Sequence, residues 1–93
     1  MQDATSISDL PDREKLLTMS GFDFMCAIRD GAIPRPPIAR VLNYHIAKVL
    51  DGEVAFVGTP KFDHTNPMGT LHGGWYGAML DSCMSCAVMT KVP

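Results

Sequence analysis

Asn66-Pro67-Met68-Gly69-Thr70-Leu71-His72-Gly73-Gly74-Trp75-Tyr76-Gly77-Ala78-Met79-Leu80-Asp81 sets a polar, turn-rich loop and a Gly-Gly pair in front of a long apolar run. The run continues through Cys83, Met84, Cys86, Ala87, Val88 and Met89, which predicts one helix from about His72 to roughly Thr90. A helix start carries backbone N–H groups with no partner inside the helix, and these attract negative charge. Asp81 lies two turns inside. A carboxylate on an otherwise apolar helix is costly to bury and needs a reason. Gly73 and Gly74 leave the helix start open to a ligand. At 1.5 Å per residue, Gly73 and Asp81 are about 12 Å apart along the axis, so one helix cannot aim both at one reacting carbon. Two antiparallel copies across a two-fold axis can, and such an interface makes two equivalent sites.

Upstream, Ile38 to Leu50 is rich in Val, Ile, Leu and Tyr, Asp51-Gly52 is a favoured two-residue turn, and Glu53 to Gly58 returns. This reads as a β-hairpin, with imperfect alternation in its first strand. Thr59 to Leu71 holds Pro60, Asn66, Pro67 and Gly69 and reads as a loop that extends the second strand briefly at most. Nearer the N-terminus, Asp9 followed by Pro11 predicts a short helix reaching about Met19. Ser20 with Asp23 predicts a second, carrying Phe22, Met25, Cys26 and Ile28 and stopping at Gly31. Pro34, Pro36 and Pro37 then form an extended connector. Residues 1–37 are thus a helical segment with a Pro-rich connector, and 38–93 are hairpin, loop and long helix. A helix apolar on every side must be covered on every side. Two strands and two short helices do not suffice. Either these residues are about the first half of a larger domain, or another chain supplies the missing strands.

With 93 residues there is room for one small domain. Hydrophobic residues make up 46% and charged ones 19%, which separates the chain from disordered sequences. A net charge of −2 without a basic run argues against a nucleic-acid partner. The polar start Met1 to Ser6 does not have the form of a signal peptide, and Asp81, Ser82 and Ser85 interrupt the only long apolar stretch, against a membrane span. Three cysteines do not make a disulfide framework, so the expectation is a cytoplasmic protein with free thiols. Cys83-x-x-Cys86 falls in mid-helix rather than at a helix start and reads as packing, with no metal site. Met79, Met84 and Met89 read as core or interface filler that could line an acyl pocket, and Trp75 as core. His45 and His64 have no partner visible in the sequence.

The run Asn66-x-x-Gly69-x-x-His72-Gly73-Gly74, followed by Asp81, resembles the hotdog-fold acyl-CoA thioesterases of the phenylacetate-pathway (PaaI-like) group in order and spacing. The similarity covers about Gly31 to Val92, with its specific part at Asn66 to Asp81. It implies an α+β hotdog fold, a long central helix wrapped by an antiparallel β-sheet, of which these residues are the N-terminal part. It implies hydrolysis of an acyl-CoA substrate to a carboxylic acid and free coenzyme A in a homodimer or homotetramer, without a cofactor. Gly73 would polarise the thioester carbonyl through its N–H. Asp81 of the other chain would act as nucleophile or as general base on water. Asn66 would orient water or the carbonyl. His72, Gly74 and Gly69 would lie against the substrate, with His72 also bracing the loop. Structural readings stand beside each: close packing for the glycines, a hydrogen bond to Ser85 for Asp81, a turn for Asn66. The rivals are an acyl-CoA-binding hotdog protein without hydrolysis, a hotdog dehydratase or hydratase, and an incomplete fragment needing a partner.

Overall fold

The computed structural model describes residues 3–93, so Met1 and Gln2 of the polar start lie outside the described residues. The class is α+β. Helices α1 (Arg13–Leu17), α2 (Gly21–Asp30), α3 (Pro37–Leu42) and α4 (Gly73–Met89) accompany strands β1 (Tyr44–Leu50) and β2 (Glu53–Gly58), which form a two-stranded antiparallel sheet. Short 3-10 turns stand at Ile7–Asp9 and Phe62–His64.

Two boundaries differ from the sequence reading. Asp9 does not cap α1: its carboxylate accepts from the Thr5 N–H and hydroxyl and from the Ser6 N–H, closing the 3-10 turn. Asp12 is the cap, accepting from Lys15 N–H at 2.8 Å, and the helix ends at Leu17 rather than Met19. The second correction is larger. Ile38 to Leu42, read as the start of the first strand, is helical. Pro37 occupies the first turn of α3, where its missing N–H is harmless, and Asn43 ends the helix in the left-handed conformation at φ 58°. The β-branched residues of this stretch point outward, with Ile38 and Val41 more than half exposed, while Ala39 is buried. Ser20, by contrast, caps α2 as expected, accepting from Asp23 N–H at 3.1 Å, and α2 stops at Gly31.

The hairpin turns at Asp51-Gly52, and Gly52 takes the positive φ of 81° that such a turn needs. Ladder pairing slips between Ile46 and Lys48, leaving Ala47 as a bulge. The buried positions of β1 are therefore Tyr44, Ile46 and Val49, a spacing of two and then three. That bulge is why strict alternation is missing from the sequence of this strand. Beyond Gly58 the strands hold together for one more residue, through Thr59 N–H to Asn43 C=O and the Asn43 side-chain amide to Thr59 C=O.

Met25 of α2 and Ile46 and Val49 of β1 form the core, with Phe22, Phe56, Cys86 and Met89 packed around them. Helix α4 is fixed against this layer at both ends. At its C-terminal end, Thr90 is buried and its hydroxyl accepts from Gly52 N–H, while Lys91 pairs with Asp51. There α2 also begins so close to α4 that a β-carbon at Gly21 would stand 1.8 Å from the Met89 carbonyl oxygen. At the N-terminal end, the Trp75 ring lies on Gly58, where a β-carbon would meet it at 2.8 Å. The Trp75 indole N–H donates to Leu42 C=O at 2.7 Å. Among the described residues no helix is long and apolar enough to cross a membrane.

Since neither the Met89 carbonyl nor the start of α2 is free to shift, Gly21→Ala is expected to lower unfolding free energy by about 1–3 kcal/mol, read from urea denaturation. Full stability in that variant would contradict the close α2–α4 contact.

Candidate active site

The loop before α4 is a small structure in its own right. Asn66 N–H donates to Thr70 C=O, Gly69 N–H donates to Asn66 C=O, and Thr65 and Leu71 bridge antiparallel. The Asn66 side chain is largely occupied within it. Its carbonyl oxygen accepts from the N–H groups of Met68 and Thr70, and its amide donates to the Thr70 hydroxyl at 2.8 Å. Gly69 sits at φ 80°, a left-handed conformation that favours glycine, and a β-carbon there would meet nothing. Both residues build the tight turn that delivers the chain to His72.

His72 caps α4. Its Nδ1 accepts from Gly74 N–H at 2.8 Å, which leaves the proton of the neutral ring on Nε2, facing solvent. Gly74 has to be small for this, since a β-carbon would come within 2.9 Å of that nitrogen. Gly73 differs from both. Its N–H has no acceptor among the described residues, and a β-carbon on it would meet nothing within 4 Å.

Asp81 is exposed and has no ion-pair partner among the described residues. The hydroxyl that does bond in this part of α4 is Ser82, to the Tyr44 hydroxyl at 2.9 Å on the inner side of the helix. Asp81 lies on the outer side, in a row with Gly73, Gly77 and Ser85. Beside that row runs Tyr76, Leu80, Met84 and Val88, which are 55–67% exposed. Gly73 and Asp81 therefore share one uncovered face but are not brought together within one chain. An apolar slot of about 70 Å3, lined by Ala39, Ile46, Phe56 and Cys86, lies on the opposite, inner side of α4. Cys83 and Cys86 are free and half-buried. Burial pushes the Cys86 thiol up, helped by Cys83 and Asp81, which disfavours thiolate chemistry there.

His64, for which the sequence shows no partner, organises this region. It is buried, its Nδ1 accepts from Lys61 N–H at 2.9 Å, and its Nε2–H donates to Val41 C=O at 2.7 Å. Its own carbonyl accepts from His72 N–H. The imidazole thus ties the loop to α3, and the start of α4 is held by the backbone carbonyl of the same residue. Its partners lie 3, 8 and 23 residues away, on elements whose meeting no local pattern announces.

Comparison of the chain with known protein families, with curated proteins and with solved structures finds no match.

Two buried ring bonds make His64 the larger structural loss. His64→Ala is expected to lower stability by about 2–3 kcal/mol and His72→Ala by about 1 kcal/mol, compared by urea denaturation. Equal costs would remove His64 from the position given to it here.

Proposed function

We propose that this chain is an acyl-CoA thioesterase of the hotdog type, active as a homodimer or a larger homo-oligomer built from that dimer. One observation carries the reading: the same bare face of α4 presents the unpaired Gly73 N–H at the positive end of a 17-residue helix and the unpaired Asp81 carboxylate. Tyr76, Leu80, Met84 and Val88 flank them and are left in solvent. An antiparallel second copy would cover this apolar row and set Asp81 of each chain at the helix start of the other. A thioester carbonyl bonded to the Gly73 N–H would then have a carboxylate beside it. The N–H stabilises the oxyanion that forms when the carbonyl is attacked, and Asp81 supplies the attack, directly or through water.

Gly77 supports this pairing. If position 73 of one helix faces 81 of the other, the two-fold axis passes position 77, midway between them. A glycine inside a helix costs about 0.5–1 kcal/mol relative to alanine. Among the described residues nothing requires it, because a β-carbon there would meet no atom within 4 Å. It is the residue that lets two helices cross closely. The hotdog arrangement is supported by the hairpin lying along the inner side of α4.

Thiol release from a panel of acyl-CoA esters tests the chemistry. Asp81→Asn and Asp81→Ala are each expected to lower kcat at least about 100-fold. Gly73→Pro removes the N–H at a helix position that accepts proline, after a residue already extended at φ −66°, ψ 133°. It is expected to fold but to lose about 100- to 1,000-fold in kcat relative to Gly73→Ala, which keeps the N–H. Equal rates for these two would remove Gly73 from the oxyanion role. Ligand binding with no thiol release, unchanged in Asp81→Asn, would favour the non-hydrolytic binding protein instead.

The crossing is tested separately. In analytical ultracentrifugation Gly77→Leu is expected to be monomeric at concentrations where the parent is dimeric, with its helical circular dichroism retained. A dimer of unchanged stability would place the interface elsewhere.

A further inference from the structure

Beside the start of α4 lies a cleft of about 580 Å3, within the range of small-molecule sites. Three separate elements wall it. The end of α3 contributes Arg40, the loop after β2 contributes Lys61 and Asp63, and the start of α4 contributes His72, Gly74 and Trp75. Among the described residues the ion pairs are Arg29–Asp30, Arg35–Asp3 and Lys91–Asp51, so neither cation of the cleft has a carboxylate partner. Arg40 does lie near enough to Asp3 to help hold that carboxyl below its ordinary range. Both Asp3 oxygens, however, are taken by Arg35, the main cause of that lowering. Asp63 is the one carboxylate in the wall. The buried His64 ring adds no free donor, since both its nitrogens are bonded.

Arg40 and Lys61 are both exposed, so each charge is solvated by itself, and an anion entering the cleft could draw on both. A guanidinium presents a planar fork that matches two phosphate oxygens, and an ammonium adds a mobile point charge. We infer that this cleft is a binding site for a phosphate-bearing ligand, held by Arg40 and Lys61. Gly74 of its wall adjoins the free Gly73 N–H, so the cleft would take the phosphorylated end of a molecule whose carbonyl meets Gly73. That last link rests on the thioesterase proposal; the anion site does not.

Trp75 is the only tryptophan of the chain and lines the cleft, so its fluorescence reads occupancy directly. Titration with inorganic pyrophosphate, and separately with ADP, is expected to give a saturable change that weakens as salt is raised. Arg40→Ala and Lys61→Ala should each weaken binding about tenfold, while Asp63→Asn should strengthen it by removing a like charge. No saturable change, or equal affinity in parent and both cation variants, overturns the site. A second arm compares thiol release from an acyl-CoA ester with release from the matching N-acetylcysteamine ester, which carries no phosphate. The KM advantage of the coenzyme A ester should shrink in Arg40→Ala and Lys61→Ala; an unchanged advantage overturns the link to Gly73. Pyrophosphate binding without any thiol release would leave the cleft standing and overturn the thioesterase reading alone.

Discussion

The need to cover α4 governs the rest of this structure. Most of its residues are apolar, yet the sheet and α2 cover only its inner side and leave Tyr76, Leu80, Met84 and Val88 exposed. Close approach on that side is made possible by the absence of side chains at Gly21 and Gly58, one at each end of the helix. Polar ties then fix the same two ends: Thr90 to Gly52 and Lys91 to Asp51 at one, the Trp75 indole to Leu42 at the other. Burying a large apolar side chain is worth roughly 1.5–3 kcal/mol, so the half-exposed row from Tyr76 to Val88 leaves a substantial driving force unused in the single chain. That imbalance is the physical reason for expecting a second surface against it.

Covering the face changes the situation of Asp81. In the single chain its carboxylate is solvated and costs nothing. In the proposed interface it would lose water, a cost for any charge, which the positive start of the facing helix would offset. A carboxylate kept ionised but partly stripped of water is a stronger base and nucleophile than one in solution. The same helix start that makes Asp81 tolerable would also receive the oxyanion, tying stability of the interface to chemistry at the site.

The elements that sequence alone reveals are those specified locally. The Asp51-Gly52 turn, the Ser20 cap, the stop at Gly31 and the span of α4 each follow from a few adjacent residues, and each is where the sequence puts it. Errors arise where two local signals compete. Ile38 to Leu42 carries β-branched residues, but the preceding proline pair pre-sets a helix start and Asn43 can take the left-handed stop, so helix wins. Asp9 and Asp12 are both able caps; Asp9 is already engaged with Thr5 and Ser6. The bulge at Ala47 and the three-way role of His64 depend on pairing across the fold. The cleft was hidden for the same reason, since Arg40 reaches it only because α3 is a helix.

The motif itself divides into two kinds of residue. Asn66 and Gly69 turn the loop, and the Asn66 carbonyl oxygen is occupied in doing so. His72 and Gly74 finish the helix start against each other. Among the described residues the Gly73 N–H, at the helix start, and the Asp81 carboxylate have no partner; the Leu71 N–H of the loop is also without an acceptor. A loop in which the surrounding groups are satisfied internally does not rearrange when a ligand arrives, so the free donor is held in place before binding. The spacing from Asn66 to Gly74 thus spends most of the loop's polar groups on its own rigidity and leaves the Gly73 N–H free at the start of the helix that carries Asp81.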